Sequence, residues 1–448
     1  MAEVQVPWGT GHLTVPLPDH WTLAQIAQPQ MPRAPVDWPE RLARALARPE
    51  GTPPLADLVR PLAHRGRIVL VLEDVTRHSP LIELLNVILP ELTHAGVLDE
   101  QVSILFATGM HPPMDEHQVR QKISALADRF AWRCNAAADP AEHISVGEVR
   151  APRGRAGVTI RVNRRLVEAD LRIVLTSVTP HLQAGFGGGG KMFVPGCAAL
   201  ETIGQIHALG LPRKSGRPLV GTDAEHNLMR QMVDAAGQLV EVAGGTTFAV
   251  QYVLDEADWP SSLVAGDLRA GQHMLAKQCA AACGAVMDAP ADVVIANAYP
   301  RDHDLWQSFK CVPNTAAAAR PNGVIIMLAR CPAGANMGPV RWPLSPAWTR
   351  RLIRLLGTGG IVSLVQRFLP GVHPEAQFFV RLATETIHRN PVLLYAPELV
   401  ARGQSFPGLP IYDDLAAILA AADRLLGAGS RRVIVFPSGG TTYPILGG

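Results

Sequence analysis

The chain has 448 residues, enough for two or three domains and a sizeable core. Its 41 basic and 39 acidic side chains leave a formal net charge of +2, which argues against recruitment of nucleic acid or an anionic membrane surface. Hydrophobic residues make up 48% and charged residues 18%, as in an ordinary soluble globular protein. No apolar run reaches the ~18 residues of a membrane span. The opening MAEVQVPWGTGHLTVPLPDHW lacks the basic and apolar regions of a secretory signal, so a cytoplasmic protein is expected.

In chain order, the first 20 residues, with Gly9, Gly11, Pro16 and Pro18, predict a small antiparallel strand pair. Short runs rich in Val, Ile and Leu follow at 68–73 (IVLVLE), 102–108 (VSILFAT), 171–178 (LRIVLTSV), 292–298 (DVVIANA), 324–329 (VIIMLA), 391–396 (PVLLYA) and 432–437 (RVIVFP). Most are continuous rather than alternating, the pattern of parallel strands covered on both faces. Helix-period segments such as 80–96 and 413–429 separate them, which predicts an α/β fold with mostly parallel sheets flanked by helices. A helical stretch at 265–290 precedes a fresh strand–helix series. The expected division is therefore residues 1–268 as an N-terminal α/β domain and 269–448 as a C-terminal one. Six cysteines are scattered without a CxxC pair. Cys279 and Cys283 read as buried helix residues rather than a metal pair.

In an open α/β sheet, ligands bind at the carboxyl ends of the strands. IVLVLE is followed by Asp74-Val75-Thr76-Arg77, VSILFAT by Gly109-Met110-His111-Pro112-Pro113, and LRIVLTSV by Thr179-Pro180-His181. DVVIANA is followed by Tyr299-Pro300-Arg301-Asp302, then Gln307 and Lys310. Four strands thus deliver polar or titratable groups to one expected edge. Singly, each has a plain reading: Asp74 as a cap of the next helix, Arg77 as half of a surface pair, either histidine as a hydrogen-bonded structural residue. Two histidines in Pro-stiffened turns favour proton transfer, which imidazole performs near neutral pH.

The segment Gly185-Phe186-Gly187-Gly188-Gly189-Gly190-Lys191 satisfies two phosphate-binding patterns and the context of neither. As GxxxxGK it has Met192 where Ser or Thr holds magnesium. As GxGxxG it stands apart from its strand, and no acidic residue ends a strand some twenty residues on. What remains is backbone able to approach a bulky or anionic ligand, with a lysine at its end. His207 lies in a helical stretch without HxxxH or HxH spacing, so the residues alone define no metal site. His226 reads as a surface or interdomain residue.

Taken together, DVTR, ATGMHPPM, TPHLQAGFGGGGKMFVPGC, His207 and DHDLWQSFK, with the opening WGTGHLTVPLP and the closing SGGTTYP, resemble the lactate racemase family over nearly the whole chain. The resemblance implies a 2-hydroxy acid racemase or epimerase using a nickel-pincer nucleotide made by separate cofactor-synthesis proteins. Lys191 matches the lysine joined covalently to that cofactor, and His207 the histidine that ligates its nickel. His111 and His181 match the two catalytic histidines. Inverting a stereocentre by hydride transfer through a 2-keto acid needs one such group on each face. Asp74, Arg77, Gly188 and Gly189 match the cofactor pocket. Arg77, Gln307 and Lys310 match residues at the substrate's polar groups. A residue from the second half implies a site in an interdomain cleft whose closure excludes water.

The chain departs from the family pattern in two places. No tryptophan occurs in 373–378, and no arginine follows His111 in Met110-His111-Pro112-Pro113. Both touch the substrate pocket, so a dicarboxylate, aryl hydroxy acid or sugar acid stands beside lactate. The alternatives are a nicotinamide-dependent oxidoreductase, a non-catalytic nucleotide- or phosphate-binding module, and a family member whose reaction has changed.

Overall fold

The computed structural model describes residues 2–150, 157–209, 219–335, 345–368, 374–406 and 408–446. The chain forms two compact units, one of Met31–Leu211 with Gly221–Ala282, the other of Met1–Gln30 and Pro212–Val220 with Cys283–Gly448. This differs from the expected division at 268/269 at both ends. Strands β1 (Ala2–Trp8) and β2 (Gly11–Leu17) form the expected antiparallel pair, closed by Trp8 opposite Gly11. The next strand, β3 (Trp21–Ile26), pairs in parallel with Arg431–Phe436 and so belongs to the C-terminal unit. Such a pairing over four hundred residues leaves no local mark in the chain.

The N-terminal unit is built on β4 (Ile68–Leu72), β5 (Val102–Phe106), β6 (Ala131–Cys134), β7 (Leu171–Ser177), β8 (Thr246–Leu254) and β9 (Pro260–Gly266), in the sheet order β9-β8-β7-β4-β5-β6. All its pairings are parallel except β8 with β9. Every residue of β4 is buried. Ile68, Leu70 and Leu72 pack into one core with Leu84, Leu85 and Ile88 of helix α1 (Leu81–His94). Val69 and Val71 face the other core, which also receives Ile203 and Ile206 of α2 (Leu200–Leu209) and Met232, Val233 and Ala236 of α3 (Leu228–Ala243). Helices on both faces are what make the strand sequence continuously apolar. Each such side chain contributes about 1.5–3 kcal/mol on burial.

Helix α4 (Leu268–Cys283) runs to the boundary between the units, and Cys279 and Cys283 are buried in it as expected. In the C-terminal unit β10 (Ala291–Asn297), β11 (Ala319–Leu328), β12 (Val392–Tyr395), β13 (Ile411–Tyr412) and β14 (Arg431–Phe436) join β3 in the all-parallel order β13-β12-β11-β10-β14-β3. Its sheet is also covered on both faces, one side including Ile418, Leu419 and Ala422 of α5 (Leu415–Leu426). Among the described residues no helix is long and apolar enough to cross a membrane.

Candidate active site

The carboxyl ends of β7, β4 and β5 are consecutive in the N-terminal sheet and lead to His181, Asp74 and His111. The fourth strand expected at this edge, β10, lies in the sheet of the other unit. Three of the four strand ends therefore share one sheet.

Asp74 does not cap the following helix, which begins at Leu81; one of its oxygens serves a local turn and the other a histidine. Its Oδ1 accepts the Thr76 backbone N–H at 3.0 Å and the Thr76 hydroxyl at 2.6 Å, closing the turn. Its Oδ2 takes the Nδ1 proton of His111 at 2.6 Å. Burial pushes the Asp74 carboxyl up, but the His111 hydrogen bond and charge, with Arg77 and Thr76, outweigh it and hold the pKa at about 2. An ionised carboxylate only accepts, so the neutral His111 ring carries its proton on Nδ1 and presents an Nε2 lone pair. The ring stays partly open, with 29% of its side chain exposed. Arg77 is half-buried behind it, its carbonyl held by the Lys122 ammonium at 2.7 Å.

His181 is held the opposite way round. Its Nδ1 accepts the backbone N–H groups of Gln183 and Ala184, both at 3.2 Å. The neutral ring therefore carries its proton on Nε2, which faces the Lys191 amine at 3.1 Å. Lys191 sits in a tight turn, Gly189–Met192, and its carbonyl accepts from Gly196 N–H at 2.9 Å. The Gly196 carbonyl in turn accepts from Gly109 N–H at 2.8 Å, so the turn bearing His111 is tied to the loop bearing Lys191. His207 is half-buried on α2, and its carbonyl accepts from the Gln183 side chain at 3.0 Å, which joins that helix to the His181 loop.

Gly188 and Gly189 are buried, with φ of +72° and +62°. A Cβ on Gly188 would lie 2.8 Å from Val178, and one on Gly189 2.8 Å from Gln272. The close backbone approach expected here is thus to the protein's own interior. Gly189 N–H donates to Gln251 Oε1 at 2.9 Å, the Gly187 carbonyl accepts from Gln272 Nε2 at 3.0 Å, and the buried Arg230 guanidinium donates to the carbonyls of Phe186 and Gly188. Arg230 also pairs with Asp234 at 3.3 Å. The loop is a clamped platform for Lys191 rather than an open row of amides.

Gln307 and Lys310 lie in the C-terminal unit after β10. Asp304 caps the turn by accepting Gln307 N–H at 2.7 Å, and Lys310 Nζ donates to Gln307 Oε1 at 2.7 Å, so these two side chains act as a pair. His226 is exposed and bonded to Asp223, in keeping with a surface role. Among the described residues no three His, Cys, Asp or Glu side chains gather as a metal site. The side chains of 373–378 lie outside the described residues. Sequence reasoning missed Glu73, Lys122, Gln183, Arg230, Gln251 and Gln272. Glu73 alone had a visible signal, as the charged end of an otherwise apolar run.

Two imidazoles stand at one sheet edge of an α/β fold, one bonded to a carboxylate and the other to backbone N–H groups, with a lysine beside the second. The chain matches the family model for the lactate racemase N-terminal domain over residues 8–217 and that for the C-terminal domain over 286–338, together more than half its length. It is 27% identical over 348 residues to the lactate racemase of Thermoanaerobacterium thermosaccharolyticum, covering 76% of this chain and 78% of that one. It is likewise 27% identical over 293 residues to the Lactiplantibacillus plantarum lactate racemase, covering 65% of each. The fold matches the solved apoprotein of the T. thermosaccharolyticum lactate racemase with a TM-score of 0.79 at 22% identity, over 99% of this chain and 100% of that one. A Thermotoga maritima protein matches with a TM-score of 0.63 at 19% identity, over 91% and 98%. The chain belongs to the lactate racemase family and, as a member, is an isomerase.

Proposed function

We propose that the protein racemises or epimerises a 2-hydroxy acid through a 2-keto acid, with His111 and His181 as the acid–base pair. In this reading a nickel-pincer nucleotide is carried on Lys191, and His207 is the protein's ligand to its nickel. The observation that supports the proposal is two imidazoles at one sheet edge with different partners, His111 Nδ1 on the Asp74 carboxylate and His181 Nδ1 on two backbone N–H groups. The residues fit the cofactor. The Lys191 amine lies 3.1 Å from His181 Nε2, and the helix of His207 is tethered to the His181 loop through Gln183. When bound, the nucleotide supplies reversible acceptance of the substrate's α-hydrogen with its electron pair, which avoids a carbanion.

The chain's own residues do the rest. His111 Nε2 removes the hydroxyl proton on one face, and the Asp74 carboxylate stabilises the imidazolium that results. His181, once protonated to the imidazolium, returns a proton from Nε2 to the oxygen on the other face. After one inversion His111 is the imidazolium and His181 the neutral ring, which is the starting arrangement for the reverse direction. Arg77 suits a carboxylate or phosphate through its guanidinium fork. Gln307 and Lys310 are assigned to the substrate's polar groups, and Gly188 and Gly189 to the platform under the cofactor. Cofactor-synthesis proteins are the implied suppliers.

The test is the intact mass and nickel content of protein co-produced with a pincer-cofactor pathway, followed by chiral assay of 2-hydroxy acids. A mass increment on Lys191, about one nickel per chain and loss of optical purity in a hydroxy acid are expected. An unmodified Lys191 without nickel, despite a working pathway, refutes the cofactor assignment. Lys191→Ala is expected to lose the mass increment while staying folded.

A further inference from the structure

Glu73 stands between the end of β4 and Asp74 and is only 5% exposed. Its Oε1 accepts from Ser177 N–H at 3.0 Å, the Ser177 hydroxyl at 2.9 Å and the Thr176 hydroxyl at 3.0 Å. Its Oε2 accepts from the Ser79 hydroxyl. Thr176 and Ser177 end β7, four residues before His181. Ser79 closes the loop that begins with Asp74 and holds Arg77. The parallel ladder between β4 and β7 ends at Val71 opposite Val174. Beyond that point the two strand ends diverge into their loops, and the Glu73 carboxylate joins them.

Four donors on one buried carboxylate are an expensive way to fill space. An apolar side chain of similar volume usually stabilises a core at least as well. A fully satisfied polar cluster instead fixes one arrangement of the segments it links. Elsewhere on the same loop, the half-buried Lys122 ammonium donates to the carbonyl of Arg77 at 2.7 Å and reaches that of Ser79 at 3.5 Å. The Asp74–Ser79 loop is thus gripped at two places, and only the Glu73 grip leads to the strand that carries His181.

We propose that Glu73 is a positioning residue that sets the distance and orientation between the Asp74–His111 pair and His181. The proposal rests on the two-histidine reading above. It makes the clamp geometric: what matters is the set of accepted hydrogen bonds. Glutamine keeps the same partners, with one bond reversed. Its amide oxygen accepts from Ser177 and Thr176, whose backbone donor cannot reverse, while its NH₂ donates to Ser79, whose hydroxyl turns to accept.

The experiment compares Glu73→Gln, Glu73→Ala and Ser79→Ala. Ring-nitrogen NMR of cofactor-free protein reads the tautomers of the two histidines, assigned with His111→Gln and His181→Gln, and steady-state kinetics are measured on the loaded enzyme. Glu73→Ala and Ser79→Ala are expected to shift both histidine signals and to lower kcat by about 10- to 100-fold with KM nearly unchanged, the scale of a misplaced reacting group. Glu73→Gln is expected to restore both. If Glu73→Ala does not fold, Ser79→Ala, which removes one arm only, carries the test. A folded Ser79→Ala protein with wild-type histidine signals overturns the proposal, and so does a Glu73→Gln variant that fails to restore the signals or the rate. If loaded wild-type protein turns over no hydroxy acid, the functional reading fails, while the ring-nitrogen comparison still decides whether the clamp exists.

Discussion

His111 and His181 leave the two strands that flank β4, yet their surroundings are opposites. His111 leans on a buried carboxylate at 2.6 Å, a charged partner that a single substitution removes. His181 leans on two backbone N–H groups and a lysine, and no side-chain change removes the backbone pair. One ring is set by electrostatics, the other by loop geometry. In the proposed scheme each ring thus has its own control.

The strongest way to break the comparison is to delete each ring. His111→Ala and His181→Ala are each expected to lower kcat by about 10²–10⁴-fold with cofactor and nickel retained. A much smaller loss in one variant, seen in the racemisation rate, would leave a single working histidine and end the symmetric scheme.

Asp74→Asn sharpens it further. This change is expected to cost roughly tenfold or more in kcat and to move the His111 ring-nitrogen signals, leaving those of His181 in place. It also has a stability signature. The folded pKa of Asp74, about 2, lies below the ordinary carboxylate value, so the ionised form favours the folded state. That contribution, about 2 kcal/mol, is present above the unfolded pKa and is lost as pH falls from about 4 towards 2. Wild type and Asp74→Asn are expected to differ in denaturation midpoint at pH 6 and to converge near pH 2–3. A difference that stays constant with pH would assign the loss to packing alone.

On the His181 side the levers are conformational. Gly188→Ala forces a side chain into positive φ against Val178, at an expected cost of about 1–3 kcal/mol. It is expected to impair cofactor attachment at Lys191 while leaving the His111 signals unchanged. The smallest effect belongs to Gln183→Ala, which removes the tether to the His207 carbonyl for about 0.5–1.5 kcal/mol. Its readout is faster loss of nickel to a chelator, with kcat before that loss close to wild type.

Much of the fold was legible because β4 and β7 are buried on both faces, and burial on both faces requires an uninterrupted apolar run. Some of the strands that escaped notice have a polar face or an edge position, but β8 is internal and almost wholly buried. In β3 buried and exposed residues mix, and β6 is four residues long at the sheet's margin. The site was legible where a titratable residue directly follows a strand, as Asp74, His111 and His181 do. Its supports were not, because their partners are remote in the chain. Ser177 lies 104 residues from Glu73, and Arg230 lies 42 from Gly188.

The order of apolar runs and the residue types at their ends, both local properties of the chain, determined the α/β class, the candidate chemistry and the family. Only the tertiary structure decided that β3 crosses to the C-terminal sheet, that the glycines face inward, and which nitrogen of each histidine carries its proton. Those outcomes depend on hydrogen-bond partners that sequence spacing does not encode. They are settled when distant segments meet and each buried donor must find its acceptor.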